Sequence, residues 1–146
     1  MSLHSIAAAG LRTIRQLALL HSLYFHPSQN GLAITIELLG SSLPGAPVLN
    51  SEKQYLGFIS EFDVLRALES ERELSQLTAE DIMARSHLSV SSSSTIKEAV
   101  ALMKTNHILV APVEEGGVVI GCITRKDLLR AWIGLGLNQP FSPNKS

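Results

Sequence analysis

The chain repeats itself, and that constrains its fold more than any other feature. Shifted by 64, YLGFISEFDVLRAL (55–68) falls on VIGCITRKDLLRAW (119–132). Six of those fourteen positions are identical: Gly57/Gly121, Ile59/Ile123, Asp63/Asp127, Leu65/Leu129, Arg66/Arg130 and Ala67/Ala131. Upstream, a shift of 65 pairs Ala46-Pro47-Val48 with Ala111-Pro112-Val113, Phe25 with Val90, Leu23 with Leu88 and Thr13 with Thr78. The change of register falls in the polar stretch between Val48 and Tyr55, which reads as a turn. A chain built this way folds as two similar units.

The second copy shows the order of elements most clearly. Leu88 to Val90 reads as a short strand. Thr95 precedes IKEAVALMK, whose Ile96, Ala99, Val100 and Met103 have helical spacing. Thr95 and Glu98 form a capping box at its start. Ile108 to Val113 and Val118 to Thr124 read as strands joined by a turn at 114–117. Thr124-Arg-Lys-Asp127 then opens a final helix. The unit is β-α-β-β-α. The first copy follows the same order, with a degraded first helix over Leu32 to Leu39 that carries β-branched Ile34, Thr35 and Ile36.

The expected organisation is an N-terminal extension (1–11), a first motif (12–68), a linker (69–76), a second motif (77–134) and a loose tail (135–146). One unit of this size leaves one sheet face uncovered. Two copies packed together bury it. The fold class is therefore α/β, or α+β-like: two pseudo-twofold-related motifs packed through their small sheets, with two equivalent clefts between them.

Composition narrows the function. Twelve basic residues stand against thirteen acidic ones, which removes the electrostatic case for nucleic acid. The single cysteine, Cys122, excludes an internal disulfide and a cysteine-based zinc cage. It reads as a buried, inert thiol, and the setting as reducing and cytoplasmic. No apolar run reaches the roughly 18 residues that span a bilayer, so no membrane partner is expected. The acid-free, serine-containing N-terminus resembles a transit peptide. Its membership of the repeat from about residue 12 favours a structural role. His4, His21, His26, His87 and His107 show no metal-binding spacing. Among them, His26 and His87 flank the expected first strands.

The segments Gly57-Phe58-Ile59-Ser60-Glu61-Phe62-Asp63 and Gly121-Cys122-Ile123-Thr124-Arg125-Lys126-Asp127 admit two readings. Ser60-x-x-Asp63 and Thr124-x-x-Asp127 are capping boxes, as is Thr78-x-x-Asp81. They are also a compact recognition set. A carboxylate accepts from both hydroxyls of a diol. Three residues away, a helix N-terminus suits phosphate.

These residues resemble the tandem CBS (cystathionine-β-synthase-type) domain pair, the Bateman-type regulatory module, from about residue 12 to about residue 133. TIKEAVALM, the APV strand end and the GCITRKDLLRA block carry the likeness, and GFISEFDVLRAL repeats it. The resemblance implies flat homodimers and adenosine-containing ligands: AMP, ADP, ATP or S-adenosylmethionine. It implies that Asp127 and Asp63 accept from ribose hydroxyls and that Thr124 and Ser60 contact phosphate. It places Val110-Ala111-Pro112 and Gly45-Ala46-Pro47 beside the adenine.

The copies differ where charge matters. Arg125 and Lys126 follow Thr124, whereas Glu61 and Phe62 follow Ser60. The cleft carrying Asp127 is therefore expected to hold a phosphorylated nucleotide better. The expected function is a stand-alone sensor of an adenosyl ligand that modulates a separate protein, with no catalytic cofactor. The sequence contains no nucleophile beside a base and no P-loop. The alternative is a ligand-free interaction or dimerisation module.

Overall fold

The computed structural model describes residues 9–17, 20–85 and 88–135. In chain order, after a 3-10 turn at Ile14–Gln16, come α1 (Gly31–Leu39), β1 (Gly45–Leu49), β2 (Tyr55–Ser60) and α2 (Glu61–Glu69). A second 3-10 turn at Leu74–Gln76 leads to α3 (Ala79–Ile82), β3 (Val90–Ser91), α4 (Ile96–Thr105), β4 (Val110–Glu115), β5 (Val118–Thr124) and α5 (Arg125–Trp132). His87 and the expected tail from residue 136 lie outside the described residues.

The architecture is mixed α/β with two small sheets. In the second half β3 runs parallel to β4, which pairs antiparallel with β5. In the first half β1 and β2 pair antiparallel, and Phe25 bridges Val48 in parallel. That bridge repeats Val90 on Val113, 65 residues later. The β4 strand runs on to Glu115, so the turn before β5 contracts to Gly116 and Gly117, both at positive φ.

The first helix of the first copy is not degraded. The α1 helix runs for 9 residues, and the Asn30 side chain caps it by accepting from the N–H groups of Leu32 and Ala33. Ile34 and Leu38 are 0% and 4% exposed in the first core. Burial worth roughly 1.5–3 kcal/mol per side chain outweighs helix-propensity losses of some tenths at Ile34, Thr35 and Ile36.

The halves exchange their lead-in segments. Leu74, just before the second copy, and Leu77, Ala79, Ile82 and Met83, which open it, pack into the first core with Phe25, Ile34, Val48, Ile59 and Val64. Ile14 and Leu17, which open the first copy, pack into the second core with Val90, Ile96, Ala111, Ile123 and Leu128. Backbone bridges follow the same rule. Thr13 pairs with Thr95 and Asn30 with Thr78; His21 pairs with Cys122 and Phe58 with Ala84. The stretch expected as a linker thus supplies buried Leu74.

This exchange accounts for the repeated glycine. A Cβ on Gly57 would lie 2.6 Å from Met83 Sδ and 2.8 Å from the Ala84 carbonyl oxygen. On Gly121 it would lie 2.6 Å from Leu20 Cβ and 3.1 Å from the His21 carbonyl oxygen. In each half the missing side chain admits the other half's lead-in against the second hairpin strand. Gly10 likewise lets Trp132 lie on the backbone, its Cζ2 2.8 Å from where a Cβ would be.

Candidate functional site

Each hairpin ends where a helix begins, and the cap residue closes that junction. Thr124 Oγ1 accepts from the Asp127 N–H at 3.2 Å, and Asp127 Oδ2 accepts from the Thr124 N–H at 2.8 Å and hydroxyl at 2.9 Å. Ser60 and Asp63 repeat this geometry, with the Ser60 N–H and hydroxyl each 2.8 Å from Asp63 Oδ2. Both capping boxes are therefore formed. Each cap hydroxyl has only one proton and gives it to its aspartate. In this arrangement Thr124 and Ser60 do not donate to a phosphate; they have only acceptor capacity left.

Beside each helix start lies a cleft of about 500 Å³. The first is lined by Thr124, Arg125, Lys126, Asp127, Leu129 and Arg130 from the second half. His21, Ser42 and Pro44 from the first half and Leu109 complete it. Three permanent cations thus line this cleft beside one carboxylate. Arg125 and Lys126 face this cleft, as an anion site requires. Arg130 reaches Asp127 Oδ1 at 3.4 Å, and the His21 ring reaches Oδ2 at 2.9 Å.

The second cleft gathers Ser60, Glu61, Phe62, Asp63 and Arg66 with Tyr55, Phe58, Ala84, Val110 and Pro112, among others. Its charge is different. Glu61 and Asp63 stand against Arg66, whose guanidinium sits 2.6 Å from Asp63 Oδ1. Burial, with smaller contributions from Cys122 and Glu114, pushes the Tyr55 phenol well above its usual pKa, so Tyr55 stays protonated.

The strand residues expected beside an adenine divide. Val110 and Pro112 line the cleft carrying Asp63, from the opposite half. Ala46 and Ala111 are fully buried in the two half-cores and line neither cleft. Gly45 is packed beneath Phe58, whose Cε1 lies 2.5 Å from where a Cβ would be. Pro47 lies away from both clefts, in a depression with Tyr24 and Lys53. Pro44, one residue before β1, lines both clefts.

Several cleft residues were not singled out from the sequence. Arg66 and Arg130 had a signal, since both are identical in the repeat three residues after the aspartate. Leu109 lines both clefts, and its carbonyl accepts from the Arg125 N–H at 3.2 Å. Pro44 repeats that contact with Glu61 at 3.0 Å. His21 had no motif to mark it. Outside the clefts, α4 and α5 frame an apolar groove of about 750 Å³ with Met103, Leu109, Leu128, Leu129 and Trp132 in its wall. Among the described residues no cluster of His, Cys, Asp or Glu could hold a metal, and no helix is long and apolar enough to cross a membrane.

Two small sheets with repeated pairings and a cleft at each hairpin-to-helix junction define a class of paired domains. Residues 79–134 match the family model of the CBS domain. The fold is similar to that of CBSX2, solved in complex with AMP, with a TM-score of 0.71 at 23% identity over 84% of this chain and 96% of that one. It is also similar to the CBS domain pair of MJ0100, solved with 5′-methylthioadenosine and S-adenosyl-L-methionine. There the TM-score is 0.72 at 18% identity, covering 85% and 98% of the two chains. Residues 79–134 are a CBS domain, and the described chain has the fold of a CBS-domain pair, a Bateman-type module. In sequence it is 26% identical over 106 residues to MJ1404, an uncharacterized protein of Methanocaldococcus jannaschii; the match covers 72% of this chain and 25% of that protein. Across the curated relatives it matches, the chain spans from a quarter to about half of their length.

Proposed function

We propose that this CBS-domain pair is a regulatory module that binds an adenosine-containing ligand, with its principal site in the cleft carrying Asp127. One observation carries the reading: Arg125, Lys126 and Arg130 converge with Asp127 on one cleft between the halves. A carboxylate accepts from a ribose diol, and the surrounding cations attract phosphate. The same charges favour AMP, ADP or ATP over the sulfonium cation of S-adenosylmethionine. The AMP and S-adenosylmethionine complexes of proteins with this fold support the ligand class. The cleft carrying Asp63, with Glu61 at its helix start, is the weaker site for an anion.

The module acts through a protein partner rather than by chemistry of its own. Exposed Phe62 and Leu65 on α2, with Leu129 and Ile133 at α5, offer apolar faces for that partner or for a homodimer. A ligand-free interaction module is the second reading. It is favoured by the capping boxes, which already occupy Ser60, Asp63, Thr124 and Asp127.

A thermal-shift panel with AMP, ADP, ATP and S-adenosylmethionine tests the choice. A ligand at a hundred times its Kd stabilises by about 2.7 kcal/mol. A shift with the nucleotides, lost in Asp127→Ala, supports the first reading. No shift with any of the four supports the second.

A further inference from the structure

We infer that His21, delivered by the first half's lead-in, is a positioning residue of the Asp127 cleft: it fixes the carboxylate so that Oδ1 is left to a ligand. The inference rests on the nucleotide reading of that cleft. Asp127 Oδ2 receives three donors: the Thr124 N–H, the Thr124 hydroxyl and the His21 ring nitrogen at 2.9 Å. Among the described residues Oδ1 has one long contact, Arg130 at 3.4 Å. That oxygen keeps acceptor capacity for a hydroxyl pair.

The first half provides an internal comparison. The lead-in bridge at the corresponding place puts Ala84 on Phe58, where the second half has His21 on Cys122. Alanine brings no donor. Among the described residues, Asp63 Oδ2 there receives only Ser60, and Arg66 has closed on Oδ1 at 2.6 Å. Arg66 and Arg130 are the same residue three positions after their aspartates, so among the described residues the lead-in residue is the difference in the donors that reach Oδ2. With His21 in place, Asp127 is held from the far side and Arg130 stays back. Without it, Arg130 takes the position of Arg66 and fills the oxygen that would read a ribose.

Isothermal titration of the full chain with ATP and with 2′,3′-dideoxy-ATP tests this in three proteins: wild type, His21→Leu and His21→Gln. Gln places an amide N–H near the position of the imidazole nitrogen, and Leu removes the donor but keeps the bulk. The wild type should prefer ATP to the dideoxy analogue. His21→Leu should weaken ATP about tenfold, the worth of one charge-assisted hydrogen bond. It should leave the dideoxy analogue within about twofold, because that ligand never uses Asp127 Oδ1. His21→Gln should recover most of the ATP affinity. A merely structural role would weaken both nucleotides alike, and that result overturns the inference, as do unchanged ATP binding in His21→Leu and no recovery in His21→Gln. A wild type that binds ATP and its dideoxy analogue equally also overturns it. A wild type that binds neither nucleotide overturns it, and the functional reading falls with it only where AMP, ADP and S-adenosylmethionine also give no thermal shift, so the two failures are distinguishable.

Discussion

His21 Nε2 lies 2.9 Å from Asp127 Oδ2, across a separation of 106 positions in the chain. The contact joins the beginning of the described chain to the first turn of its last helix. The side chains are 34% and 16% exposed, so water reaches the pair only partly. Asp127 therefore has two neighbours to satisfy, its own helix and the other half, before any ligand arrives.

That double role yields a control. Asp127→Ala removes the N3 carboxylate of the α5 capping box, whose N-cap is Thr124, and should cost about 1 kcal/mol in urea unfolding, and it should also abolish the nucleotide-dependent thermal shift. Asp81→Ala removes the corresponding N3 carboxylate from the α3 capping box, where Asp81 Oδ2 accepts from the Thr78 N–H at 2.9 Å and Thr78 hydroxyl at 3.1 Å. It should lower the unfolding midpoint and leave nucleotide binding unchanged. Loss of binding in both variants would reduce Asp127 to a cap.

Charge should separate the clefts. Asp63→Ala is expected to leave the tighter nucleotide site intact in titration calorimetry. Glu61→Lys, which gives the first half a cation near its helix start, should strengthen the weaker site several-fold at low salt, and the gain should shrink as ionic strength rises. Insensitivity of the weaker site to this charge reversal would count against electrostatic selection.

Burial pushes the Cys122 thiol up to about 12 from 9.0. The folded thiol should resist a disulfide reagent at pH 8 and react once urea unfolds the chain. The linkage has a definite sign. The raised folded pKa means that the native state holds the proton between pH 9 and about 12 while the unfolded state releases it. Stability from this group is full below pH 9 and falls as pH rises through that window. Cys122→Ala should unfold more easily at pH 7, from lost packing, yet show a shallower decline between pH 9 and pH 11.

The exchanged lead-ins predict damage at a distance. Ile14 is 1% exposed in the second core. Ile14→Ala should cost about 2–5 kcal/mol, and hydrogen exchange should show protection lost in β4, β5 and α5 rather than in the first sheet. Gly121→Ala should act on the same joint by pushing against Leu20, at about 1–3 kcal/mol. Loss of protection confined to the first half would contradict the exchange.

Much of this was legible in the sequence, for a physical reason. Capping boxes are local, so Thr95–Glu98 and Thr124–Asp127 were identified from spacing alone. The β5 strand matched because Val118 to Thr124 is bounded by glycines and a cap. The α1 helix is legible over Leu32 to Leu39, but it reads as degraded because β-branched Ile34 and Ile36 lower helix propensity, while the burial of Ile34 that outweighs it is tertiary. Ala46 and Ala111 share the strands of the expected site but face the cores, and strand alternation in so short a run does not say which face is which. His21 meets Asp127 only through the exchange. No local pattern carries a contact of that separation.

The exchange also sets a timetable. A ribosome releases this chain from the N-terminus, yet Ile14 and Leu17 find their place only against Ile123, Leu128 and Ala131. The first residues of the described chain must wait for nearly the last ones to be made. The first core can close earlier, once Leu74 to Met83 have emerged. Until the second half has emerged, the nascent chain carries one half that can be finished and, ahead of it, an apolar segment still waiting for its partner. In that interval the waiting segment is the part a chaperone, or a stray second copy, would meet first.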